Sequence, residues 1–108
     1  MMSEKQLIQE IRKYLATLPE CFFWKEHGGQ YGTAGIPDII LCYKGLFVAF
    51  EAKVGRNKLT KLQEATIAQI QAAGGYALVV RSVTDARALI SAMDAEREAQ
   101  HEPNRRPV

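Results

Sequence analysis

Apolar residues recur at Leu7, Ile11, Tyr14, Leu15 and Leu18, the three-and-four spacing of one helix face. Ser3 and Gln6 stand ahead of this stripe in capping-box order, and Pro19 ends it because its ring removes a backbone donor. The run CFFWK is then β-type in composition and predicts a first strand. After a glycine-rich stretch, EHGGQYGTAG, two apolar runs follow, PDIILCY and LFVAFEAK, separated only by Lys44-Gly45. A two-residue connection with glycine predicts a tight hairpin. VGRNKL leads into a second helix near Thr60, with inner positions Leu62, Thr66, Ile67, Ile70 and Ala73 and a stop at Gly74-Gly75. YALVV lacks alternation, which predicts a strand that is central or covered on both faces. SVTDARALISAMDAEREA predicts a third helix with Ala86, Leu89, Ile90 and Met93 inward.

The order α-β-β-β-α-β-α predicts an α/β fold, a mixed sheet flanked by helices. At 108 residues the chain fits one domain, with a core over about 3–95 and a tail at 99–108 expected to be flexible. Cys21 and Cys42 lie in apolar runs and imply no disulfide framework; they are expected to be reduced core residues. No apolar run spans a bilayer and no secretory core is present, so the expectation is a soluble, cytoplasmic protein without a membrane partner.

Charge changes this picture locally. The net formal charge of +2 is too small to argue for nucleic acid, but Lys53, Arg56, Lys58 and Lys61 have no acid between them. Such a patch can track phosphates, and the plain alternative is a solvated loop. More telling are charges inside the hairpin. A two-residue turn at Lys44-Gly45 sets Tyr43 against Leu46, Cys42 against Phe47, Ile40 against Ala49, and so Asp38 against Glu51. Facing side chains on one sheet face have Cβ atoms roughly 4.5–5.5 Å apart. Lys53, two residues on, points the same way.

Two facing carboxylates repel, so one takes a proton or a cation sits between them. A hard divalent ion fits, since it accepts oxygens, keeps waters and tolerates phosphate ligands. Lys53 would then meet negative charge on a phosphate or orient the attacking water. The alternative is a buried salt bridge in which Lys53 only neutralises the acids, although stability is a weak reason to keep one.

Other candidates border this site. Glu10 flanks the apolar stripe of the first helix and either adds a carboxylate to the metal or its waters, or is a surface residue. Gln63 completes a capping-box pattern with Thr60, yet shares a face with Ile67 and Ile70; a cap and an inward amide are both open readings. Lys25 and His27 approach the Asp38 end if the first strand borders the hairpin, with His27 read as a surface or phosphate-contact residue rather than a ligand. Gly28, Gly29, Gly32 and Gly35 do not match a nucleotide fingerprint and suit a backbone that lies close to DNA. No CxxC or HExxH spacing supports zinc.

The ordered set GIPD, EAK and Gln63, preceded by KEHGGQYGTAG, resembles the PD-(D/E)xK nuclease superfamily. More narrowly, Ser3 to Ala95 resembles the VRR-NUC (virus-type replication-repair nuclease) family, especially its short stand-alone members from bacteriophages and bacteria. The resemblance implies a restriction-endonuclease-like core and an endonuclease that cleaves DNA with Mg2+ or Mn2+. It implies that Asp38, Glu51 and the backbone carbonyl of Ala52 hold the metal, that Lys53 is the catalytic lysine, and that Gln63 and Glu10 are the supporting glutamine and first-helix glutamate. It further implies a homodimer acting on Holliday-junction-like branched DNA, in a bacterial or phage-infected cell. On the DNA side, Lys25, His27, Gly28, Gly29, Arg56, Lys58 and Lys61 are the expected contacts. Competing functions are a non-catalytic module that binds branched DNA, and a nuclease for flaps, simple duplex or RNA.

Overall fold

The computed structural model describes residues 2–27 and 34–100. Helix α1 (Glu4–Leu15) is followed by strands β1 (Cys21–Lys25), β2 (Ile39–Tyr43) and β3 (Leu46–Ala52). Helix α2 (Lys61–Ala72), strand β4 (Tyr76–Val80) and helix α3 (Val83–Gln100) complete the order expected from the patterning. The sheet runs β1-β2-β3-β4, with the first three strands antiparallel and β4 parallel to β3.

Local chemistry sets the ends of these elements. Ser3 and Gln6 form the reciprocal cap of α1, with Ser3 Oγ accepting from the Gln6 N–H at 3.1 Å and Gln6 Oε1 accepting from the Ser3 N–H at 2.8 Å. Lys44 (φ 49°) and Gly45 (φ 84°) both take positive φ, which matches the right-handed twist of the strands they join. Tyr43↔Leu46, Cys42↔Phe47 and Ile40↔Ala49 are paired as that turn requires. The turn is pinned to α3. Asp94 accepts from the Tyr43 hydroxyl at 2.8 Å and pairs with Lys44 at 2.9 Å, while Arg97 donates to the Lys44 carbonyl at 3.2 Å.

Two apolar layers cover the sheet. On one face Leu7, Ile11 and Leu15 of α1 and Ala86, Ile90 and Met93 of α3 pack on Ile39, Leu41, Val48 and Phe50. On the other, α2 brings Ile67 onto Ile40, Ala49 and Ala77. Of the two readings its apolar run allowed, β4 takes the second: it is covered by α2 on one face and α3 on the other, and it is an edge strand, not a central one. One expectation changes on α2. Leu62 is 52% exposed rather than inward, because Ile67 takes the inward position on α2. Cys42 is also exposed and Cys21 half-buried; the register puts them on opposite faces, and both are free thiols. Of the tail expected at 99–108, residues 99–100 belong to α3 and 101–108 lie outside the described residues.

Gly35 explains how close α2 comes. It has φ +85°, and a Cβ there would meet Thr66 Oγ1 at 2.7 Å and the Leu62 Cγ at 2.8 Å. Only glycine lets α2 lie against the backbone that enters β2, and buried Pro37 then leads directly to Asp38.

Candidate active site

The site is built at the open end of the β2–β3 hairpin, opposite the turn. Asp38 stands one step beyond the ladder pair Ile39↔Phe50, so the same register carries it opposite Glu51. Its carbonyl accepts from the Glu26 N–H at 2.7 Å, which ties it to the end of β1. Its Oδ2 accepts from the Ala52 N–H at 2.9 Å, which orients the carboxyl against β3. Glu51 is only 3% exposed and is the single buried charged residue among the described residues. Burial, then a hydrogen bond with the Asp38 carboxyl, then the charge of Asp38 push the Glu51 carboxyl up to about 8, against a smaller lowering by Lys53. That shift favours the protonated form of Glu51 at neutral pH.

Gln63 closes over this pair from α2. Its Oε1 accepts from the Thr60 N–H at 2.9 Å, and its own N–H donates to Thr60 Oγ1 at 3.1 Å. The amide nitrogen at the same side-chain tip donates to Glu51 Oε2 at 3.4 Å. The cap and the inward amide are therefore one structure: capping fixes the rotamer that aims Nε2 at Glu51. Lys53 is half-buried, and its N–H donates to the Val80 carbonyl at 3.1 Å. Its positive field reaches Glu51, yet it forms no close ion pair with either acid; the ion pair among the described residues is Lys44–Asp94. A neutralising salt bridge does not account for this arrangement.

No family model and no curated protein matches the chain. Among solved structures it is similar to one described as a "VRR_NUC domain", with a TM-score of 0.68 and 20% sequence identity over 82% of this chain and 94% of that one. The fold is that of a VRR_NUC domain. β2 and β3 are the two central strands of the four-stranded mixed sheet, so the hairpin's open end, with Asp38, Glu51 and Lys53, lies at one end of the sheet's middle.

Within this VRR_NUC fold the other expected residues divide. Glu10 is exposed, in a shallow groove with Met2, Gln6, Gln9 and Lys13. The first-helix acid whose charge reaches Glu51 is Glu4, and its Oε2 accepts from Asn57 Nδ2 at 3.1 Å. Glu4 was legible in principle. The buried stripe Leu7, Ile8, Ile11, Leu15 extends backward by one turn to residue 4, whereas a stripe drawn without Ile8 leans toward Glu10. Lys25 reaches the Asp38 end of the sheet, but pairing with Ile39 places it on the face of α1 and α3, away from the carboxyls. Its Nζ lies 3.5 Å from the Glu26 carbonyl. His27 is exposed, and Gly28 and Gly29 lie outside the described residues. Arg56, Lys58 and Lys61 are exposed and carry no ion pair among the described residues.

The donor set bears on a metal. Among the described residues no group of three or more His, Cys, Asp or Glu is placed to hold an ion. Two adjacent carboxyls are nonetheless what a hard, octahedral cation takes from a protein when waters and phosphate oxygens fill its other positions. A pair of carboxyls suits Mg2+ or Mn2+ better than zinc, which favours thiolate and imidazole ligands. No helix among the described residues is long and apolar enough to cross a membrane.

Proposed function

We propose that the protein is a metal-dependent nuclease that hydrolyses phosphodiester bonds in branched DNA as a homodimer. The observation that carries this reading is the Asp38–Glu51 pair, with Glu51 buried, oriented by Ala52 N–H and Gln63 and within the field of Lys53. Mg2+ or Mn2+, held by Asp38, Glu51 and the Ala52 carbonyl, would supply Lewis-acid polarisation of the phosphate. Glu51 would give up its proton when the cation enters, which couples binding to pH. Gln63 would keep Oε2 of Glu51 aimed, and Lys53 would meet the charge that grows on the phosphate oxygens. Arg56, Lys58 and Lys61 would track the backbone without reading bases, so shape rather than sequence would be recognised.

A second copy of the chain would give two sites related by a two-fold axis, suited to a junction with two strands to cut. What supports a partner is the half of the sheet that α2 leaves open. Phe22 is 69% exposed, Trp24 45% and Phe47 46%, with exposed Cys42 between them. A patch of this kind on a small domain marks an interaction surface. Sedimentation should show a dimer at micromolar concentration that Phe22→Glu dissociates; a monomer in the parent would remove this part.

The test of the reading is cleavage of labelled four-way junction, flap and plain duplex with Mg2+, Mn2+ or chelator. Divalent-dependent cutting of the junction is expected, lost in Asp38→Ala and Lys53→Ala while junction binding persists. Salt-sensitive binding with no turnover in any arm would make the protein a DNA-binding module instead. An Asp38→Ala protein that cuts as fast as the parent would refute the mechanism.

A further inference from the structure

Between Lys53 and α2 the chain runs through a loop, Val54–Thr60, that presents Arg56 and Lys58 to solvent. Nothing apolar at its tip holds it: residues 55–58 are all exposed. Its only internal tie is a turn in which the Asn57 N–H donates to the Val54 carbonyl at 3.2 Å, with Gly55 at φ +57°. Ordering such a segment costs conformational entropy, so an untethered loop would meet its ligand as an ensemble.

Arg81 supplies the tether. Its Nη1 donates to the Gly55 carbonyl at 3.1 Å and its Nη2 to the Asn57 carbonyl at 2.9 Å. The base of this side chain is itself fixed. The Arg81 N–H donates to Asp85 Oδ2 at 2.8 Å, in the first turn of α3. Arg81 leaves β4 beside the point where Lys53 leaves β3, since Ala52 pairs with Val80 and the Lys53 N–H donates to the Val80 carbonyl. From the loop, Asn57 Nδ2 passes the constraint to Glu4, the α1 acid whose charge reaches Glu51.

We propose that Arg81 is a positioning residue: its guanidinium bridges two carbonyls of the 54–60 loop so that Arg56 and Lys58 stand as preformed phosphate contacts beside Lys53. The fork geometry matters, because two carbonyls two residues apart match a planar guanidinium and not a single ammonium. Holding the loop in place before DNA arrives raises affinity without adding a contact. The part concerning phosphates rests on the nuclease reading; the tether itself does not.

Two measurements separate these. In the first, amide hydrogen exchange over residues 54–58 is followed without DNA in the parent, Arg81→Lys and Arg81→Ala. Both variants should lose about tenfold or more of the protection at Asn57. Unchanged exchange in both overturns the proposal whatever DNA does. In the second, metal-free binding to a four-way junction is measured across salt concentrations. Each phosphate contact contributes about 0.9 to the slope of log K against log salt, so losing Arg56 and Lys58 together should lower it by about 1.8 in both variants. A loss of about 0.9 in Arg81→Ala and none in Arg81→Lys would make Arg81 a direct phosphate contact and overturn positioning. If the parent shows no salt-dependent binding, the nuclease reading and the loop's DNA role both fall, and the exchange experiment still decides the tether.

Discussion

The two ends of the β2–β3 hairpin each hold an acid with a lysine nearby, and they resolve the charge in opposite ways. At the turn, Asp94 has Lys44 at 2.9 Å and the Tyr43 hydroxyl at 2.8 Å, which hold its carboxyl below the usual range. At the open end, Glu51 is buried against Asp38, its carboxyl rises to about 8, and Lys53 forms no close pair with it. The turn end is satisfied as it stands. The open end sets two acids against each other, with Glu51 pushed toward its protonated form and Lys53 nearby without a close pair. A sheet that needed only stability would not repeat at one end the repulsion it avoids at the other.

The largest effect should follow from breaking the open end. Asp38→Ala and Lys53→Ala are each expected to lower junction cleavage by roughly 10³-fold, as loss of transition-state charge stabilisation does. Asp94→Ala should leave single-turnover cleavage unchanged and destabilise the fold by about 1 kcal/mol, because the buried Tyr43 hydroxyl loses its acceptor. If Asp94→Ala abolished cleavage and Lys53→Ala did not, the two ends would have been assigned the wrong way round.

Next in size is the response to pH. The folded-state value of Glu51 is about 8, against an ordinary value of 4.5. Between these the folded protein binds more protons than the unfolded chain, so metal-free stability is full below about 4.5 and falls as pH rises toward 8. The slope reaches up to about 1.4 kcal/mol per pH unit. Denaturant melts of the metal-free protein at pH 5 and pH 8 should show this fall, and Glu51→Gln should flatten it. Asp94 has the opposite sign: its contribution is present at neutral pH and is lost as pH drops through its lowered range. Melts that strengthen from pH 5 to pH 8 would mean that Glu51 is ionised in the folded protein and its carboxyl is not raised.

Much of this was legible in the sequence because it depended on local rules. The Lys44-Gly45 turn fixes the register of β2 and β3, and the register carries Asp38 to Glu51. Capping boxes at Ser3 and Thr60 mark both helix starts. What escaped depended on non-local contacts. The edge position of β4 follows from its parallel pairing with β3, which an apolar run of five residues cannot specify. Glu4 was missed for a different reason: a stripe drawn without Ile8 leans toward Glu10, whereas the buried set Leu7, Ile8, Ile11 and Leu15 runs back to residue 4. Arg81 looks like any charge after a strand; its role arises because two parallel strands end side by side. Gly35 read as part of a backbone that lies close to DNA, whereas the structure uses it to seat α2.

The smallest expected effect sharpens the comparison most finely, since it divides one side chain into two duties. Gln63 caps α2 through Thr60 and also donates to Glu51. Thr60→Ala removes the hydroxyl half of the cap and should cost about 1 kcal/mol while leaving cleavage near the parent rate, because Gln63 remains over Glu51. Gln63→Ala should cost a similar amount of stability and also slow cleavage by about tenfold, the worth of one hydrogen bond to a reacting carboxyl. Gln63→Glu divides the duties in the other direction. It keeps an acceptor for the Thr60 N–H but sets another acid against Glu51, so the cap should survive while the pair is pushed further toward its protonated form. If Gln63→Ala and Thr60→Ala lose stability equally and both cut normally, the amide caps the helix only, and the open end depends on Asp38, Glu51 and Lys53 without it.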